Sequence, residues 1–113
     1  MNDKVKKLTL KYIEKLKEMY KDKLCKIILY GSYARGDYKE ESDVDLMILL
    51  NTDEAETRNK VKEVVFTTYD FNMDNDIDIE PVVESVAFFN TWNDVHPFYR
   101  NVKKEGIILY EAA

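Results

Sequence analysis

The stretch Gly31-Ser32-Tyr33-Ala34-Arg35-Gly36-Asp37-Tyr38-Lys39-Glu40-Glu41-Ser42-Asp43-Val44-Asp45-Leu46 decides how this chain is read. It follows Cys25 to Tyr30, a short Ile-rich apolar run that reads as a buried strand, and Gly31-Ser32 ends that run abruptly. A glycine there lets backbone N–H groups approach an anion, and the Ser32 hydroxyl can hydrogen-bond a phosphate oxygen. Arg35 adds a positive fork in the same neighbourhood. A charged loop, Asp37 to Glu41, leads to a second strand over Asp43 to Leu50. Its alternation puts Val44, Leu46 and Ile48 on one face and Asp43, Asp45, Met47 and Leu49 on the other. Asp43 and Asp45 therefore project from one face about 7 Å apart along the strand. Two carboxylates so placed repel unless a cation lies between them, and all-oxygen donors suit Mg²⁺ or Mn²⁺ completed by substrate phosphates.

Outward from that stretch the chain is regular. Residues 2 to 20 carry Val5, Leu8, Tyr12, Leu16 and Met19 at three- and four-residue intervals, an amphipathic helix packed by one face. Residues 53 to 69 carry Ala55, Arg58, Val61, Val65 and Tyr69 at helical spacing and predict a helix crossing back over the sheet by that stripe. Asp76-Ile77-Asp78-Ile79-Glu80 alternates strictly, so a third strand is expected with its two Ile toward the core and three carboxylates away from it. Ser85 suits the N-cap of a helix running to Trp92, Pro97 the first turn of another, and Gly106 a helix C-terminus. Ile107 to Tyr110 closes as a short strand. The expected architecture is α/β (α+β), a small mixed sheet covered by helices on one side, in a single domain over residues 1–113.

Gly31-Ser32, ten intervening residues, then Asp43-Val44-Asp45, with Ala34-Arg35-Gly36 inside and Ser42 before the aspartates, resembles the signature of the minimal nucleotidyltransferases of the DNA polymerase beta superfamily. The resemblance extends to the C-terminal Pro97-Phe98-Tyr99-Arg100-Asn101-Val102 and Glu105-Gly106-Ile107. It implies the polymerase-beta-like fold and transfer of a nucleoside monophosphate, AMP from ATP, by two-metal catalysis. Carried onto this sequence, it implies that Gly31 and Ser32 hold the triphosphate, that Arg35 is a secondary phosphate or structural contact, and that Asp43 and Asp45 ligate Mg²⁺ or Mn²⁺. It also implies a third carboxylate from a neighbouring strand. Asp78 is favoured, Asp76 comes next, and Glu80 shares their face.

Members of this size resemble antitoxins whose partner is a HEPN-type toxin, modified with AMP on a tyrosine. The resemblance thus implies an enzyme that adenylylates a macromolecular acceptor held by a partner or a second subunit. The alternative is an interaction module that keeps the fold and neutralises its partner by contact alone. A drug-modifying nucleotidyltransferase shares the motif but needs a second chain to complete the cleft. Oligomerisation is left open.

Composition narrows the setting. Hydrophobic residues at 45% and charged residues at 35%, with three Gly and two Pro, fit a compact globular domain and leave no linker. Seventeen basic against twenty-two acidic side chains give a net charge of −5, which argues against a standing affinity for nucleic acid and suits a basic protein partner. The single Cys25 cannot form an internal disulfide, and with no leader-like or membrane-length apolar segment the expected home is the cytoplasm.

Other features carry no site. Asp74-Asn75-Asp76-Ile77-Asp78 starts like a calcium loop, but Ile79 stands where glycine is required and Ser85 where glutamate is. His96 precedes Pro97 with no nucleophile nearby and reads as helix-entry packing. Cys25 reads as a buried, inert thiol. Phe88, Phe89, Trp92, Phe98 and Tyr99 read as core or an interface.

Overall fold

The computed structural model describes all 113 residues, Met1–Ala113. The elements run α1 (Asp3–Tyr20), a 3₁₀ turn (Lys21–Lys23), β1 (Leu24–Tyr30), α2 (Ser32–Arg35), β2 (Val44–Leu50), α3 (Glu54–Asn75), β3 (Ile79–Ser85), α4 (Val86–Trp92), α5 (Pro97–Glu105) and β4 (Ile107–Glu111). One four-stranded sheet has the order β3-β2-β1-β4. β1 is antiparallel to both β2 and β4, while β2 and β3 run parallel through the long crossover of α3. The sheet is therefore mixed, as expected.

Strand alternation sorts the core into two clusters. Ile27, Leu29, Val44, Leu46, Ile48 and Leu50 meet Tyr12, Ile13 and Leu16 of α1 and Val64 and Phe71 of α3 in a cluster of fifteen buried residues. Ile28, Met47 and Leu49 point the other way and meet Phe89 of α4 and Tyr99 and Val102 of α5 in a cluster of six. Helices thus cover both sides of the sheet. The expectation of cover on one side holds for the two long helices; α4 and α5 are short, yet each turns an aromatic onto the opposite face.

α3 departs from the sequence reading in two ways. It continues to Asn75, closed by Asp76 in a left-handed cap at φ 50°, ψ 53°, so the third strand begins at Ile79 and not at Asp76. Its buried row is also a different one. Thr57, Val64, Thr68 and Phe71 face the sheet, whereas Val61, Val65 and Tyr69 of the expected stripe are exposed. The threonines can be buried because their hydroxyls are satisfied locally: Thr57 donates to the Asp53 carbonyl at 2.7 Å and Thr68 to the Val64 carbonyl at 2.6 Å, beside the Tyr12 hydroxyl.

β3 is an edge strand whose edge is closed. The Asn72 amide of α3 donates to the Ile79 carbonyl and accepts from the Ile79 N–H, both at 3.0 Å. Two residues on, Pro81 has no N–H to offer on that side. Gly106 does end α5, but at φ −67° and ψ 147° it is extended and not left-handed. Glycine is required there for room: a Cβ would run into the Val102 carbonyl and the Ile28 side chain, so the end of α5 lies hard against β1. Cys25 is half-buried. No helix is long and apolar enough to cross a membrane.

Candidate active site

The exposed carboxylates gather where β1 ends and β2 and β3 begin. Asp43 lies just before β2, and its carboxylate face continues through Asp45 into the buried Met47 and Leu49. Parallel pairing sets Val44 beside Ile79 and Asp45 beside Glu80, and the Val44 N–H donates to the Asp78 carbonyl at 2.8 Å. That register brings one carboxylate oxygen each from Asp43, Asp78 and Glu80 within 4.8 Å of one another. Asp45, which lines the adjoining cavity, and Asp76, in the cap of α3, are both outside the trio.

Crowding alters these groups. The Asp43 carboxyl is held above the usual carboxylate range, first by a hydrogen bond with Asp78, then by loss of water and by the Asp78 charge. Asp45 is raised chiefly by burial, with Asp43 and Asp78 adding and the Arg35 guanidinium opposing. Two carboxylates can share a hydrogen bond only through a proton, and a divalent cation removes that need. An all-oxygen trio this close fits Mg²⁺ or Mn²⁺ in donor type and spacing.

Gly31 forms the second edge of the site. It sits at φ 75° and ψ −154°, a region essentially confined to glycine, and a Cβ there would run into the Asp45 carboxylate. The turn therefore lets β1 end directly on Asp45. Ser32 opens α2, whose first N–H groups have no intrahelical acceptor and no side-chain cap. Arg35, at the other end of α2, donates from Nε to Asp37 at 3.2 Å and from Nη1 to Glu105 of α5 at 3.4 Å.

A cavity of 440 Å³, within the range of small-ligand sites, joins the Gly31 edge and Arg35 to Asp43 and Asp45, with Asp78 and Glu80 outside its lining. Gly31, Ser32, Arg35, Asp43 and Asp45, all singled out in the sequence, line it. Its far wall, Phe98, Asn101, Val102 and Glu105, comes from α5; the sequence reading took Phe98 as core or interface and the others only as part of the family resemblance. Tyr30 completes the lining, its ring edge-on to Phe98 at 5.4 Å. Burial, with the Asp45 and Glu80 charges adding, pushes the Tyr30 hydroxyl up to about 12.

The family model described as "Nucleotidyltransferase domain" matches residues 10–109. The chain belongs to that family. A putative protein adenylyltransferase of Methanocaldococcus jannaschii is 37% identical over 102 residues, covering 88% of this chain and 91% of its own. A second chain of that organism with the same description is 44% identical over 63 residues, 56% of this chain and 62% of its own. Among solved structures, a toxin–antitoxin complex with AMP-PNP superposes with a TM-score of 0.54 at 21% identity, covering 90% of this chain and 73% of that one. A variant of the toxin–antitoxin MntA-HpeT gives 0.52 at 20% identity over the same shares. At such identities the structural likeness establishes the fold, and the family model establishes membership. This nucleotidyltransferase domain thus has the polymerase-beta-like fold that its motif implied.

Glu80, which the sequence reading left as sharing the face of Asp78, stands with Asp43 and Asp78 in the structure, where Asp76 does not. Its signal was present, two positions beyond Asp78 on the same face, and only the parallel register with Asp45 distinguishes it from an ordinary exposed acid. The α5 wall had a signal too, in the family resemblance of Pro97 to Val102 and Glu105-Gly106, but one that assigned these residues no role. His96 stacks on Tyr99 at 4.6 Å at the entry to α5, in keeping with the packing expected of it.

Proposed function

We propose that this chain transfers AMP from ATP to a hydroxyl of a protein acceptor. The observation that carries the reading is the cavity on which the Gly31-Ser32 turn, Arg35, Asp43 and Asp45 converge, with Asp43 also joining Asp78 and Glu80 beside it. In this reading the backbone at Gly31 and the Ser32 hydroxyl hold the triphosphate. Arg35, now tied to Asp37 and Glu105, exchanges those carboxylates for phosphate oxygens. Asp43, Asp45 and Asp78, with Glu80 beside them, hold Mg²⁺ or Mn²⁺. When bound, such ions polarise the phosphoryl oxygens and make the acceptor hydroxyl more acidic.

The reaction forms a bond from the acceptor oxygen to the α-phosphorus and breaks the bond to the β-phosphate oxygen. Pyrophosphate leaves, and the hydroxyl proton is lost to a carboxylate or to water. The chain itself positions and neutralises: the Gly31 turn fixes Asp45, and the α5 wall limits how far the nucleotide moves. The relatives named as adenylyltransferases of proteins and the neighbouring toxin–antitoxin folds support a protein acceptor. A toxin partner fits those neighbours, and a basic one, such as the HEPN type that the sequence motif implies, fits the net charge of −5.

Mass spectrometry tests this. A HEPN-type partner incubated with the chain, ATP and Mg²⁺ gains the mass of AMP, and with chelator it does not. A partner that is silenced while its mass stays unchanged would leave neutralisation by contact as the function.

A further inference from the structure

The outer face of α3 carries two neighbouring rows four residues apart. One is wholly apolar: Val61, Val65, Tyr69 and Met73, of which Tyr69 is 63% and Met73 69% exposed. The other reads Arg58, Lys62, Phe66, Asp70 and Asp74, with Phe66 71% exposed at its centre. Apolar side chains in such a contiguous exposed row mark an interaction surface.

The charged row discloses which partner fits. Arg58 and Lys62 precede Phe66 by eight and four residues, and Asp70 and Asp74 follow it by four and eight. None of the four makes an ion pair within the chain. Within one helix this order is unfavourable. Like charges four apart repel, and acids toward a C-terminus, with no basic residue in the last turn, oppose the helix dipole. A helix arranged for its own stability would carry the reverse order. The row is instead complementary to itself when turned end for end.

We propose that the chain forms a twofold homodimer through this face, with two α3 helices antiparallel and crossing at Phe66. At a rise of about 1.5 Å per residue, Lys62 and Asp70 lie about 6 Å either side of the crossing. Each Lys62 then meets Asp70 of the partner subunit, and each Arg58 meets Asp74 of the partner subunit. Twofold symmetry makes every such pair occur twice. Rows spaced four residues apart are those that interdigitate in the commonest class of helix packing, so the apolar row and Phe66 fill the centre. The cavity at Gly31 opens on the opposite side of the sheet and stays free, while Val65 and Tyr69 border the groove of Asp78 and Glu80 at the β3 edge. The inference depends on surface chemistry alone and stands or falls apart from the proposed reaction.

The test is sedimentation of the full chain with charge-reversed variants. Wild type sediments as a dimer. Lys62→Asp sets like charges face to face twice, as does Asp70→Lys, and each weakens self-association by about tenfold or more. Mixed in equal amounts, the two single variants form a heterodimer, because the two acids on one helix then face the two bases on the other. All these positions are exposed, so the variants stay folded, and their melting temperatures fall only by the concentration-dependent share that dimerisation lends wild type. A wild type that remains monomeric up to about 1 mM, single variants that dimerise undiminished, or a mixture that fails to recover dimer would each overturn the proposal.

Discussion

The two faces of the sheet are built from the same strands and used differently. Toward α1 and α3, β2 presents Val44, Leu46, Ile48 and Leu50, all buried, under two helices of eighteen and twenty-two residues. Toward α4 and α5 the same strand passes from buried Leu49 and Met47 to Asp45 and then Asp43, under helices of seven and nine residues. The first face is apolar to its end. The second is apolar for half its length and ionic for the rest, and the cavity opens where its cover stops. Stability and chemistry are thus assigned to opposite sides of a layer one residue thick, and a substitution on either side tests that division.

The largest expected effect lies on the ionic half. Asp43→Asn with Asp45→Asn removes two charges that would neutralise the ions, and transfer falls by roughly three orders of magnitude or more, about 4 kcal/mol. The circular dichroism melt is retained, and loss of folding in this variant would erase the division. Next comes the opposite face. Leu46→Ala leaves a cavity in the larger cluster and costs about 2–5 kcal/mol by denaturant titration, while nucleotide affinity of the folded protein is unchanged. Gly31→Ala sits on the boundary and affects both sides: backbone strain and displacement of Asp45 cost about 1–3 kcal/mol, with a matching loss of nucleotide affinity by calorimetry.

Two smaller effects sharpen the comparison. Tyr12→Phe removes the 2.6 Å hydrogen bond to Thr68 under α1 and costs about 1 kcal/mol, because Thr68 keeps its bond to the Val64 carbonyl. Asp43→Asn alone, without metal, slightly raises the melting temperature at neutral pH. The Asp43 pKa is raised on folding, so protonation favours the folded state at low pH and that advantage is lost as pH rises through the folded pKa. The gain from the substitution therefore shrinks as pH falls, and Mg²⁺ reverses its sign by stabilising wild type.

Much of this was legible in the sequence, and the failures share a cause. The alternation of β2 assigned both faces correctly because every position is either aliphatic or charged. The Gly31-Ser32 and Asp43-x-Asp45 spacing marked one edge of the cavity. In α3 the same reasoning selected the wrong row, since Thr57 and Thr68 look polar until their hydroxyls are seen returned to the backbone. Val61, Val65 and Tyr69 look like core until their exposure is measured. Periodicity identifies a helix and its rows; which row is buried depends on local hydrogen bonds that composition does not encode. The α5 wall was quoted in the family resemblance, but its place at the cavity was not legible, for a related reason. Phe98 and Asn101 come to the cavity because Gly106 lets α5 end against β1, a contact distant from the motif.

The closed edge of β3 bears on how this chain behaves in company. A bare strand edge is a template: a strand from any neighbouring molecule can be laid on it, and the added strand offers a fresh edge for the next. Here Asn72 occupies Ile79, Pro81 offers no donor, and the Ser85 N–H is turned onto Glu84. Val83 alone keeps an outward donor, too little for a ladder. At this border, contact between molecules is limited to side chains, and association of that kind reverses on dilution instead of growing into a fibre.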